Sequence, residues 1–222
     1  MDIGSAFTYV FDDEEWIKKV AIGGGLIFGG LILTPILIGL ALFVIVTGYS
    51  FETLKNVRDG VVRPLPEWTD FGGLFSKGLL VVVIALIYNV PSLILSCASA
   101  GINVASQQLD PDVAATLAFG AACASCLQVL VSLLGNALLP AAIIRYAQFE
   151  SLGAAFQFGE IFSFIRENIG DYIIAVLLSW VAGFVATLGG LILCVIGIFF
   201  TTFWSYLVGF NLYGQLARKM TV

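Results

Sequence analysis

The chain has 222 residues, of which 59% are hydrophobic and only 11% charged, against about 45–50% and about 25% in ordinary soluble domains. That excludes a water-soluble globule. Ten Lys and Arg, fifteen Asp and Glu and no His give a formal charge of −5, which leaves no basic stripe for nucleic acid, no imidazole for a His-based triad and no typical zinc site.

Four stretches carry no Lys, Arg, Asp or Glu: Val20 to Ser50, Gly78 to Gly101, Val113 to Ile144 and Tyr172 to Leu216. A bilayer core about 30 Å thick requires roughly 20 apolar residues in a helix, so the chain is read as an all-α integral membrane protein. The N-terminus, Met1-Asp2-Ile3-Gly4, has no basic n-region, and no signal-peptide cleavage is expected. Asp12 and Glu15 are spaced as a capping box for a helix entering through Trp16-Ile17.

The first apolar run is long for one helix and short for two, and Thr34-Pro35 interrupts it. Charge decides the parity. Read as a hairpin, the run places Lys18, Lys19, Lys55, Arg58, Arg63, Lys77, Arg145, Arg166, Arg218 and Lys219 on one side, which is every basic residue in the chain. The positive-inside rule then predicts about six transmembrane helices with both termini in the cytoplasm. They form three consecutive hairpins over approximately 16–57, 71–147 and 169–218 in one polytopic membrane domain. If the first hairpin is shallow, four or five full crossings are the alternatives.

The connection over approximately 58–70 contains Val61-Val62-Arg63-Pro64-Leu65-Pro66-Glu67-Trp68. Its prolines forbid a helix and predict an extended segment at the membrane surface, with Trp68 as an interfacial anchor. Asp70 follows as the cap of the next helix, through Phe71, Leu74 and Phe75. That helix carries Asn89-Val90-Pro91, and the next carries Gln128 and Asn136 to Pro140. The two prolines predict local breaks whose freed carbonyls, with Asn89, Gln128 and Asn136, would line a polar cavity. The alternative is that the amides bond between helices and hold the bundle together.

In the connection over approximately 148–168, Phe156, Phe158, Ile161, Phe162, Phe164 and Ile165 alternate with Gln157, Glu160, Ser163, Arg166 and Glu167. This is the pattern of an amphipathic helix in the headgroup plane on the cytoplasmic side. Read functionally, Trp68, Phe158, Phe162 and Arg166 form a docking surface for a partner. The last apolar run is twice the length of one crossing, and Gly189-Gly190 predicts its turn. Gly25 to Gly29 is a small-xxx-small match for close helix contact. Cys97, Cys123, Cys126 and Cys194 are read as apolar fillers between helices, with a disulfide from Cys97 to Cys123 or Cys126 as the alternative.

Several of these strings resemble one family of archaeal and bacterial multi-pass membrane proteins. They are Asp12-Asp13 with Trp16 to Lys19, Pro64 to Trp68 with Asp70, Leu74-Phe75 and Gly78, and Arg145-Tyr146-Ala147. Ala155-Phe156 with Phe158 and Glu160-Ile161, Ile165-Arg166 with Asn168, Gly170-Asp171-Tyr172, and Gly214 to Ala217 continue the likeness. The chain is identified by it as similar to the domain-of-unknown-function 4013 group. The resemblance implies an all-helical membrane protein and nothing about chemistry: the group has no assigned activity, so no catalytic residues carry over, and no catalytic, cofactor-binding or metal residues are expected.

Three functions compete. The first is a non-enzymatic accessory or scaffold subunit, or a homo-oligomeric component, whose partners are membrane lipids and other subunits or copies of itself, without nucleic acid. The second is a small transporter or channel built on the breaks at Asn89/Pro91 and Asn136/Pro140. The third is a lipid-modifying enzyme using Arg166, Glu160, Glu167 and Asp171, which surface ion pairing accounts for more simply. The first is preferred.

Overall fold

A computed structural model describes residues 1–107, 109–193 and 196–219. Cys194 lies outside the described residues. The chain is all-helical, with no strand among the described residues. Its α-helices are α1 (Ile3–Thr8), α2 (Trp16–Leu33), α3 (Ile38–Arg58), α4 (Phe71–Ser106), α5 (Pro111–Phe149), α6 (Phe158–Glu167), α7 (Ile169–Ile192) and α8 (Gly197–Lys219). The hairpins are α2–α3, α4–α5 and α7–α8, as the apolar runs predict. Among the described residues, five helices are long and apolar enough to cross a membrane: α2, α3, α4, α5 and α7.

The first run is a hairpin because Thr34–Ile36 forms a single 3-10 turn and Leu37 takes a left-handed conformation, φ 64°. Proline at the start of that turn gives up a backbone donor that a helix N-terminus leaves unpaired anyway. The expected capping box does not form: α2 has no side-chain cap, and Asp13 instead accepts at Oδ1 from the Glu15 N–H, just ahead of the helix, at 2.9 Å. Asp70 caps α4 as expected, accepting from the Gly73 N–H at 2.8 Å.

The turn of the last hairpin is also displaced. α7 runs through Gly189-Gly190 to Ile192. Gly190 serves packing instead: a Cβ there would lie 2.4 Å from the Cα of Ile198 at the start of α8.

Two compact units make up the chain, Met1–Val83 with Ala141–Val222, and Ile84–Pro140. In the first, α8 is the hub and packs against α2, α3 and α7. Phe203, Leu207, Val208, Leu212 and Leu216 are all buried along it. This explains why α8 does not share the high hydropathy of the five spans: its neighbours are protein, so it tolerates Ser205 and Asn211, both buried. Lipid selects for apolar surface only on helices that face it.

The second unit is the distal part of the α4–α5 hairpin, from Ile84 to Pro140. Its helices approach closely where a Cβ on Gly135 would sit 2.8 Å from the Tyr88 carbonyl. Neither proline breaks its helix, which corrects the expected interruptions: α4 continues through Pro91 and α5 through Pro140. Each proline still removes the helical donor to the carbonyl four residues earlier, at Ile87 and Asn136. Cys97, Cys123 and Cys126 are exposed free thiols, so they fill no helix contact among the described residues. The Gly25 and Gly29 face likewise meets no backbone of this chain. Close contact falls two residues earlier, where a Cβ on Gly23 would overlap the Phe203 ring and one on Gly24 that of Phe200.

Candidate functional site

The ionisable residues of the first unit gather at one end of its helices, and the most buried of the paired cations is Lys19. Its side chain is only 4% exposed, and its ammonium meets Asp13 at 2.8 Å and Glu67 at 2.6 Å. It also lies 3.3 Å from the Leu65 carbonyl. A buried charge is tolerable only when paired and hydrogen-bonded in this way. Burial pushes the Asp13 carboxyl up, but the Lys19 ammonium, the Glu15 N–H and the Arg63 charge together outweigh it and hold Asp13 below its ordinary range.

Lys19 thereby pins the proline-rich connection to the bundle. Trp68 is buried rather than anchored at a membrane surface, its indole N–H donating to the Lys19 carbonyl at 3.1 Å. Its ring stacks on Tyr49, centroids 4.0 Å apart at 17°. The Tyr49 hydroxyl donates to the Pro66 carbonyl at 2.8 Å, and Phe203 tilts against both rings. Leu65 is buried in the same core. The segment therefore forms an inward-folded strap across α2, α3 and α8, held by the Lys19–Glu67 ion pair, the Trp68 indole bond and the aromatic stack.

Further pairs tie this end together. Arg63 meets Glu14 at 2.9 Å and Lys77 meets Glu52 at 2.8 Å. Lys55 pairs with Glu150, Lys219 with Asp171, and Arg58 donates to the Ala147 carbonyl. Basic residues from the N-terminal segment, both connections and the tail thus share one end of this unit, which only a hairpin in the first apolar run permits.

The second connection folds as α6. Of its apolar residues Ile161 and Phe164 are buried, whereas Phe158 and Phe162 are exposed; Arg166 is also exposed. Beside α6 lies Arg145, itself 7% exposed, with Nη2 donating to Gln157 at 2.9 Å and its guanidinium 5.0 Å from the Phe149 ring. The nearest carboxylate, Glu160, is 3.7 Å from Nη1, and Nε has no partner.

The residues predicted for a polar cavity are differently engaged. Asn89 donates to the Ala85 carbonyl and Asn136 to the Ser132 carbonyl, each at 2.8 Å and each on its own helix. Gln128 is half-buried on α5. In the sequence Lys19 and Arg145 count only as charges that set the orientation of the hairpins, and Glu67 only as part of the Pro64 to Trp68 string. The signal that singles them out is charge next to an apolar run, which becomes informative only when burial is known.

Residues 26–195 match a family described as protein of unknown function (DUF4013). The chain belongs to the DUF4013 family. The match contains Glu67, Trp68, Arg145 and Glu160 but stops short of Asp13 and Lys19, so this DUF4013 chain completes its clamp from residues outside the matched region. No curated protein and no solved structure matches the chain.

Proposed function

We propose that this protein is a non-enzymatic scaffold of the cell membrane, an accessory subunit or homo-oligomeric component. Six helices cross, α8 being the sixth, and both termini lie in the cytoplasm. The orientation is supported by the shared end of the basic residues and the positive-inside rule.

The scaffold role is carried by the length of the apolar hairpin. Of the charge-free run of α5, Val113 to Ile144, the part up to Leu139 is about 40 Å of helix at ~1.5 Å per residue, the rest being packed inside the chain. At an ordinary tilt near 20° a core of about 30 Å is crossed in about 32 Å. From Asp112 to Leu139 only Ala121 and Gly135 are buried within the chain, while Phe119, Leu130 and Leu134 are well exposed. More apolar helix surface is presented than lipid tails cover, and another protein surface is its natural cover.

The test is the mass of the protein extracted from its native membrane in mild detergent. An assembly larger than the monomer is expected, and Phe119→Asp should dissociate it without releasing the chain from the membrane at alkaline pH. A lone monomer would overturn the reading. Permeation past Asn89 and Asn136 is less favoured, because both carboxamides already donate within their own helices.

A further inference from the structure

Parts of α5, α6 and α8 border an open cleft of about 410 Å³, lined by Arg145, Glu160, Ser163, Glu167, Asn168 and Lys219 together with the Phe164 ring. Its size falls within the roughly 300–1,000 Å³ of small-molecule sites. We propose that this cleft binds the headgroup of a phospholipid that carries a primary ammonium, its phosphate against Arg145 and its ammonium against Glu160 and Glu167.

Arg145 is the first observation. It is a nine-tenths buried cation whose Nη1 stands 3.7 Å from Glu160, beyond hydrogen-bond distance, and whose Nε is sealed inside without a partner. A buried guanidinium left short of hydrogen bonds costs free energy that a phosphate meeting Nη1 recovers.

The lining charges are the second. A simple anion would meet Glu160 and Glu167, and a simple cation would meet Arg145 and Lys219. Only a ligand bearing both signs suits the wall. Glu167 keeps an oxygen for it, since its Oε1 alone accepts from Ser163, at 2.9 Å.

Soluble phosphoamines and amino acids share this dipole. What selects the lipid is α6, whose exposed Phe158 and Phe162 suit it to the plane where headgroups lie.

The purified protein is offered equal amounts of phosphatidylethanolamine, phosphatidylglycerol and phosphatidylcholine, and the lipids retained are counted by native mass spectrometry. Phosphatidylethanolamine should be held about tenfold over each competitor, since phosphatidylglycerol lacks the ammonium and the quaternary amine of phosphatidylcholine has no N–H to donate. Arg145→Gln should abolish that preference, and Glu160→Gln with Glu167→Gln should turn it toward phosphatidylglycerol. Both carboxylates are on exposed residues, so the double variant carries the test by itself if Arg145→Gln does not fold. Equal retention of the three lipids by the unaltered protein, or an unchanged preference in the double variant, overturns the proposal. Displacement of the lipid by millimolar O-phosphoethanolamine or glycine would assign the cleft to a free solute and overturn it too.

Discussion

Gly48 and Gly78 meet backbone to backbone where α3 crosses α4. A Cβ on Gly48 would lie 1.8 Å from the Leu74 carbonyl oxygen, and one on Gly78 would lie 1.9 Å from that of Val44. Each helix occupies the space of the other's missing side chain. Main chain cannot rotate away as a side chain can, so Gly48→Ala should cost about 3 kcal/mol, the upper end of overpacking penalties. A thermal melt in detergent checks this, with Gly78→Ala expected to behave alike.

Gly183 gives the opposite sign. It lies within α7, and a Cβ there meets nothing within 4 Å. Gly183→Ala should therefore raise the melting temperature, by a gain of about 0.5–1 kcal/mol from the lower backbone entropy of alanine.

The Lys19 clamp predicts a non-additive pair. Lys19→Met alone strands the buried Asp13 carboxylate and should destabilise by roughly 3–5 kcal/mol. Combined with Asp13→Leu it should recover most of that loss, because no unpaired charge is left inside. A double-mutant cycle on melting in detergent is the measurement, and a simple sum of the two single effects would contradict the pairing.

Acid sensitivity follows from three carboxylates outside the spans. Asp59 is held down by Arg58, Glu150 by Lys55, and Asp13 by Lys19 against its burial. A group whose folded pKa is depressed contributes stability above its unfolded value, near 3.9 for Asp and 4.3 for Glu, and loses it as pH falls through the folded one. Stability should be level from about pH 6 to 7 with respect to these groups and decline below about pH 4. Asp13→Asn should make that decline shallower in a pH series of melts.

The strap predicts an optical signature. Trp68 stacks on Tyr49 in a buried site, so Tyr49→Ala should weaken near-ultraviolet dichroism from the indole. Tyr49→Phe should keep the stack and lose only the hydrogen bond to Pro66, about 0.5–1.5 kcal/mol.

Local spacing made much of this architecture legible. The charge-free runs defined the hairpins, Thr34-Pro35 marked the first turn and Asp70 announced its cap. Where the sequence reading erred, a contact distant in sequence overrode a local rule. Pro64 to Trp68 has the composition of a surface segment but is drawn inward by Lys19 and Tyr49. Gly189-Gly190 has the composition of a turn but is used for an approach to Ile198. Pro91 and Pro140 have the chemistry of breaks, yet their helices continue.

The candidate site was less legible. Lys19, Glu67, Arg145 and Glu160 stand in the sequence as ordinary charges flanking apolar runs. Nothing local indicates that Lys19 is buried against Glu67 or that Arg145 lacks a close carboxylate, since those facts depend on which helix ends converge.

The sequence by itself determined the solvent of this protein and the number of its hairpins, because hydropathy and charge are properties of residues one at a time and lipid acts on them directly. Only the tertiary structure decided that α8 is the hub, that the strap is internal and that Gly48 faces Gly78. Those depend on which faces meet, and a face is matched by its partner's shape, which no single segment records.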